Sequence, residues 1–109
     1  NGMQTRDFTF VNDTVEATIE VGLKCTGSEI INIAKGKDIT MLELADKIKS
    51  ITNSKSEIKL VENPFFRKDY EVEKRYGSSE KLLKLIGKKP DISLDDGLFK
   101  TYNHILSQK

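Results

Sequence analysis

Gln4-Thr5-Arg6-Asp7-Phe8-Thr9-Phe10-Val11-Asn12-Asp13-Thr14-Val15-Glu16-Ala17 changes its period partway along. Asp7 to Val11 alternates apolar and polar residues, the signature of a half-buried strand. Asp13-Thr14-Val15-Glu16 then has the form of a capping box, in which Asp13 accepts from the first helical amides and Glu16 reaches back. Val15, Ile19, Gly22 and Leu23 continue on one helical face, and Gly27 supplies a stop. A strand passing directly into a helix is the first sign of an α/β chain.

The same alternation of periods runs outward from this stretch. Glu29 to Ala34 is a short apolar run rich in β-branched residues and reads as a buried strand, with Lys35-Gly36-Lys37 as its turn. Thr40-Met41-Leu42-Glu43 is a second capping box, and Met41, Leu44, Ala45, Ile48 and Ile51 keep the helical spacing up to Asn53 and Ser54. Ile58 and Leu60 flank Lys59 in a third expected strand, stopped at Asn63-Pro64 because proline has no amide for a ladder. Residues 65 to 76 have no clear period. Ser78 is expected to cap a short helix carrying Leu82, Leu83 and Ile86, which Gly87 ends before Pro90. Ser93-Leu94-Asp95-Asp96 opens the last helix, with Leu94, Leu98, Tyr102 and Ile105 on one face. The expected product is a single α/β unit over residues 1–109, with three short strands and about four helices. Strands joined through helices are expected to lie parallel, and so small a sheet suggests that part of its surface docks on other protein.

Composition narrows the classes of function. With 37% hydrophobic and 32% charged residues among 109, the chain is that of an ordinary globular domain. No apolar run approaches a membrane span and the first residues hold no signal-like stretch, so a cytoplasmic protein is expected, one that enters its first strand almost at once. A lone cysteine, Cys25, forms no internal disulfide, and a single histidine, His104, gives no metal cluster. Residues 67 to 89 carry eight Lys or Arg against four acids. That bias suits a phosphate-bearing ligand, but solvated helix faces produce it as readily. Aromatic residues are not interleaved with the cations as a nucleic-acid groove requires, so no nucleic acid is expected as a partner.

Residues 4–17 closely resemble the segment of extended short-chain dehydrogenases that usually reads Q-T-R-D-F-T-Y-V-D-D-V-V-E-A. Ile31-Asn32-Ile33-Ala34-Lys35-Gly36-Lys37 is similar to that family's F-N-I-G-S-G-K turn, and Leu42-Glu43-Leu44-Ala45 to its following helix. Leu85-Ile86-Gly87-Lys88-Lys89-Pro90 and Ser93-Leu94-Asp95-Asp96-Gly97-Leu98 resemble its L-L-G-W-K-P and S-L-E-E-G-L ending. The resemblance covers nearly the whole chain and implies the C-terminal, substrate-binding portion of an NAD-dependent nucleotide-sugar 4-epimerase or 4,6-dehydratase. In that chemistry the sugar is oxidised at C4 and later reduced again. The Gly-rich dinucleotide fingerprint and the Tyr-x-x-x-Lys pair belong to a Rossmann half that this sequence lacks, so the resemblance implies NAD only in a longer enzyme and an inactive isolated chain. Tyr70-Glu71-Val72-Glu73-Lys74 has the Tyr-x-x-x-Lys spacing, but it is a short pattern and falls on the substrate side of the resemblance.

Departures from the family pattern are local. Lys88 stands where tryptophan is usual, which predicts looser packing. Ala34-Lys35 replaces Gly-Ser, and Ser78-Ser79 replaces Asp-Ile.

Three arginines are the candidate substrate ligands. The resemblance makes Arg6 a ligand of the sugar-nucleotide pyrophosphate; otherwise it would pair with Asp7 or Asp13. Arg67 follows Phe65 and Phe66 in the aperiodic stretch, where its planar fork could grip phosphate oxygens or simply be solvated. Arg75 has Glu71 and Glu73 as ready alternatives. Asn32 is expected to be a buried residue satisfying backbone groups, Tyr76 to be packing, and His104 to have no catalytic role. The expected partners are a nucleotide sugar and the missing Rossmann half. The first helix and the run around Ile31 and Ile33 should leave a bare apolar face that favours self-association. A stand-alone binding module that keeps the fold without the enzyme is the rival reading.

Overall fold

The computed structural model describes residues 2–62 and 72–109. Seven elements follow one another: β1 (Thr5–Asp7), α1 (Val11–Lys24), β2 (Asp38–Thr40), α2 (Met41–Ile51), β3 (Lys74–Arg75), α3 (Glu80–Ile86) and α4 (Leu94–Ser107). Three short strands and four helices make the α/β unit expected from the sequence. The strands lie elsewhere than predicted, however, and β1 sits between an antiparallel β2 and a parallel β3. The expectation that helix-joined strands lie parallel therefore fails for β1 and β2.

Each displaced strand has a physical reason. Phe8 to Phe10 leaves the ladder because Phe10 becomes the residue before α1, its ring packed on Gly97 of α4. A Cβ at Gly97 would lie 3.1 Å from that ring. No side chain caps α1: Asp13 instead accepts from the amides of Asp91 at 3.2 Å and Ile92 at 3.0 Å, tying α1 to the loop before α4. Residues 29–34 keep the alternation of a strand, with Ile31 and Ile33 packed on the core, but have no ladder partner. Their backbone is met by side chains, with Lys81 Nζ donating to the Ile30 carbonyl at 3.0 Å. Residues 58–60 form no strand either, and Leu60 is exposed.

The helices follow the sequence more closely. The Thr40 hydroxyl accepts from the Glu43 amide at 3.1 Å while the Glu43 carboxylate accepts from the Thr40 amide at 2.9 Å, the full reciprocal box. Gly87 ends α3 in the left-handed region at φ 75°, where a side chain would be strained. The Ser93 hydroxyl accepts from the Asp96 amide at 3.1 Å and opens α4.

The core is small. Leu82 and Ile86 of α3 close on Ala17 of α1, with Val21, Ile31, Ile33 and Leu85 around them. A second contact joins α2 to α4, where Lys47 bonds Asp95 at 2.7 Å. The radius of gyration is 16.8 Å, against about 13 Å for a compact domain of this length. The stripe Val11, Val15, Ile19 and Leu23 of α1 faces outward, Leu23 being 81% exposed. This is the bare face expected of the first helix, although Ile31 and Ile33 are not part of it. Lys88, in the tryptophan position, forms an ion pair with Glu20 of α1 that fastens the loop after α3 to that helix. No helix among the described residues is long and apolar enough to cross a membrane.

Candidate functional site

Pairing of β1 with β3 brings together two residues far apart in the chain, since Arg6 is the register partner of Arg75. Directly paired residues on neighbouring strands project to the same face. Both arginines line a cleft of about 410 Å³ whose other walls are Asp7, Thr9, Asn32, Ile33, Ala34, Tyr76 and Gly77. Two permanent cations in one concavity, against the single carboxylate of Asp7, favour an anion there.

Local bonding aims one of them. Arg6 Nη1 donates to the carbonyls of Thr5 at 2.6 Å and Val72 at 2.8 Å, so backbone from both sides of the strand pair holds the guanidinium. Neither of the acids named as its alternative partners forms an ion pair with it, although Asp7 lines the same cleft. Asp7 accepts from the amides of Gly36 and Gly77, and Asp13 from those of Asp91 and Ile92. Among the described residues, no salt bridge involves Arg6 or Arg75.

Tyr76 is 60% exposed and lines the cleft, so it is a wall rather than the packing residue expected. The Lys74 ammonium lies 5.2 Å from the centre of its ring, a cation–π distance that steadies it. Asn32 is likewise exposed and lines the cleft, against the expectation of a buried residue. Its polarity between two isoleucines was the available signal: Ile31 and Ile33 face the core, which sends Asn32 the other way. Thr9, Ala34 and Gly77 carried no such signal. A second cavity of about 340 Å³ adjoins the cleft across Tyr76 and Gly77 and is lined by Lys35 and Lys89 among others.

Of the three predicted ligands, Arg6 and Arg75 come together, and Arg67 lies outside the described residues, as do Phe65, Phe66 and Tyr70. His104 sits in the last turn of α4, its ring 2.7 Å from Gln108 Nε2, and does not line the cleft. No cluster of His, Cys, Asp or Glu among the described residues could hold a metal ion. The junction before α1 reads Phe8-Thr9-Phe10 and α2 follows Thr40 directly, so neither carries the Gly-rich turn on which a dinucleotide pyrophosphate sits in a Rossmann half.

No protein-family model matches the chain. Among its relatives, UDP-N-acetyl-alpha-D-glucosaminuronate decarboxylase of Bacillus cytotoxicus is 37% identical over 106 residues, covering 93% of this chain and 32% of that protein. Among solved structures, UDP-glucose 4-epimerase of Thermotoga maritima with UDP-glucose superimposes with a TM-score of 0.86 at 26% identity, over 99% of this chain and 33% of that one. The enzyme WbmF of Bordetella bronchiseptica, in complex with NADH, gives 0.74 at 34% identity, over 98% of this chain and 32% of that one. The chain thus spans about a third of the length of the proteins it matches. By sequence and by fold it matches the C-terminal portion of NAD-dependent nucleotide-sugar epimerases and decarboxylases of the extended short-chain dehydrogenase/reductase type.

Proposed function

We propose that this chain is the sugar-nucleotide-binding portion of an NAD-dependent nucleotide-sugar 4-epimerase or dehydratase, inactive by itself. The observation that carries the reading is the pairing of Arg6 with Arg75 in one cleft, with no acid of the described residues bridged to either. Two planar forks facing one concavity suit a pyrophosphate, which offers oxygens to both. Arg67 is a third proposed ligand of the same group. Binding energy gained at this remote group would position the sugar carbon for chemistry on another part of the enzyme, and no chemical step is assigned to residues of this chain. The outward apolar stripe of α1 supports a docking partner, for which we propose the NAD-binding half, with self-association of the chain where that half is missing.

The test is calorimetric titration with UDP-glucose. Arg6→Ala and Arg75→Ala should each weaken binding roughly ten- to a hundredfold, the loss of one charged hydrogen-bonding fork. Arg6→Lys should restore only part, because a point charge lacks the fork. His104→Ala, remote from the cleft, should match the parent. Equal affinity in both alanine variants sinks the assigned site.

A further inference from the structure

The turn that carries Ala34 of the cleft wall is built in an unusual way. Three consecutive amides, those of Ala34, Lys35 and Gly36, are each taken by a side chain from a different place in the chain. The Ser79 hydroxyl accepts from the Ala34 amide at 2.8 Å and donates to the Ala34 carbonyl at 2.7 Å. Thr9 Oγ1 accepts from the Lys35 amide at 3.0 Å, and Asp7 Oδ2 from the Gly36 amide at 2.8 Å. The same Asp7 oxygen accepts from Gly77 at 3.3 Å, on the adjoining wall. Ala34 and Ser79 are both buried. A Cβ placed on Gly77 would lie 2.6 Å from the Ala34 Cβ, so the two walls already meet as closely as side chains permit.

We propose that Asp7, Thr9 and Ser79 act as positioning residues, fixing the turn at residues 34–36 against Gly77 and so setting the width of the cleft for its anionic ligand. This rests on the reading of the cleft given above. With no ladder partner, residues 29–34 have little else to hold their end in place. Ser79 is the most buried of the three: it uses one hydroxyl to satisfy both backbone groups of Ala34, and a residue without a hydroxyl there would leave two buried polar groups unmet. Ser79 stands where the resembled family has an isoleucine. At this one position a hydroxyl anchors Ala34 where the family pattern has an apolar side chain.

The test compares Ser79→Ala and Thr9→Val with Thr9→Ser, which keeps the hydroxyl, and with Lys47→Ala, which removes an exposed bond between α2 and α4 far from the turn. Three quantities are read on each: amide hydrogen exchange at residues 34 and 35, affinity for UDP-glucose, and thermal midpoint. Ser79→Ala should speed exchange at Ala34, and Thr9→Val at Lys35, by about tenfold, the loss of one hydrogen bond. Each should weaken UDP-glucose binding several-fold, while Thr9→Ser keeps both properties. Lys47→Ala should leave affinity unchanged even if its thermal midpoint falls. Faster exchange with undiminished affinity overturns the positioning role while leaving the arginine site intact. If the parent chain does not bind UDP-glucose, the functional reading fails. Exchange then decides whether these side chains hold the turn: faster exchange supports that holding, and unchanged exchange overturns it.

Discussion

Two neighbouring turns of this chain are held by opposite strategies. At residues 40–43 the bonds of the capping box span three positions, and both partners belong to the helix they start. At residues 34–36 the three amides reach across 45, 26 and 29 positions to Ser79 just before α3, to Thr9 just after β1 and to Asp7 at the end of β1. A local cap forms whenever its helix forms. The other turn exists only when β1, the 29–34 segment and the start of α3 have already assembled. Order at the cleft wall is therefore tied to the fold as a whole, and damage to the fold should reach the site before it reaches α2.

The largest effect is expected from Asp7→Ala, because one carboxylate oxygen serves amides on two walls. Bonds to a charged group contribute about 1.5 to 3 kcal/mol each, so the loss of two should amount to about 3 to 6 kcal/mol in urea unfolding. Thr40→Ala should come next, at about 1 kcal/mol, the ordinary cost of an N-cap. Its consequence should stay local, with faster amide exchange in the first turn of α2 and unchanged affinity at the cleft. If Thr40→Ala costs as much as Asp7→Ala, or disturbs the cleft equally, the contrast between the two turns is wrong.

The smallest effect concerns the pair that replaces the family's tryptophan. The hydrogen bond from Lys88, with a further contribution from Lys24, holds the Glu20 carboxyl below its usual range, and Glu20 in turn raises the Lys88 ammonium. A depressed carboxyl stabilises the fold above its unfolded value and loses that contribution as pH falls through the lowered folded one. The Lys88 contribution is complete below its unfolded value and is lost as pH rises through the raised one. Glu20→Gln should therefore flatten both limbs slightly in thermal midpoints followed from pH 3 to 11. Because the pair is exposed, the change should be slight and should shrink further in salt. Identical profiles for parent and variant would remove any role for this ion pair.

The same contrast explains what could be read from the sequence. Thr40-Met41-Leu42-Glu43, Ser93 and Gly87 are local signals, and each helix boundary they marked lies within two residues of the observed one. Asp13 shows the opposite case. Its spacing to Glu16 fits a capping box, yet its oxygen serves amides 78 and 79 positions away. The run at residues 29–34 has the alternation of a strand because Ile31 and Ile33 do bury, but alternation reports burial and says nothing about a ladder partner. At the cleft, Arg6 and Arg75 were legible as cations in a recognisable segment. Their pairing was not, since it depends on the register of a two-residue strand that no local pattern marks. Thr9 and Ser79 are ordinary polar residues in sequence and acquire a role only from what the fold brings against them.

We propose the Arg6–Arg75 cleft as the place where a sugar nucleotide binds. The most direct measurement is two-dimensional NMR of the isotope-labelled chain, titrated with UDP-glucose and separately with NAD. The account predicts that UDP-glucose shifts the amides of Arg6, Thr9, Ala34, Arg75 and Gly77 together along one saturable curve, while those of α4 and all amides under NAD stay in place. Shifts clustered away from the cleft, or a saturable response to NAD, would contradict it.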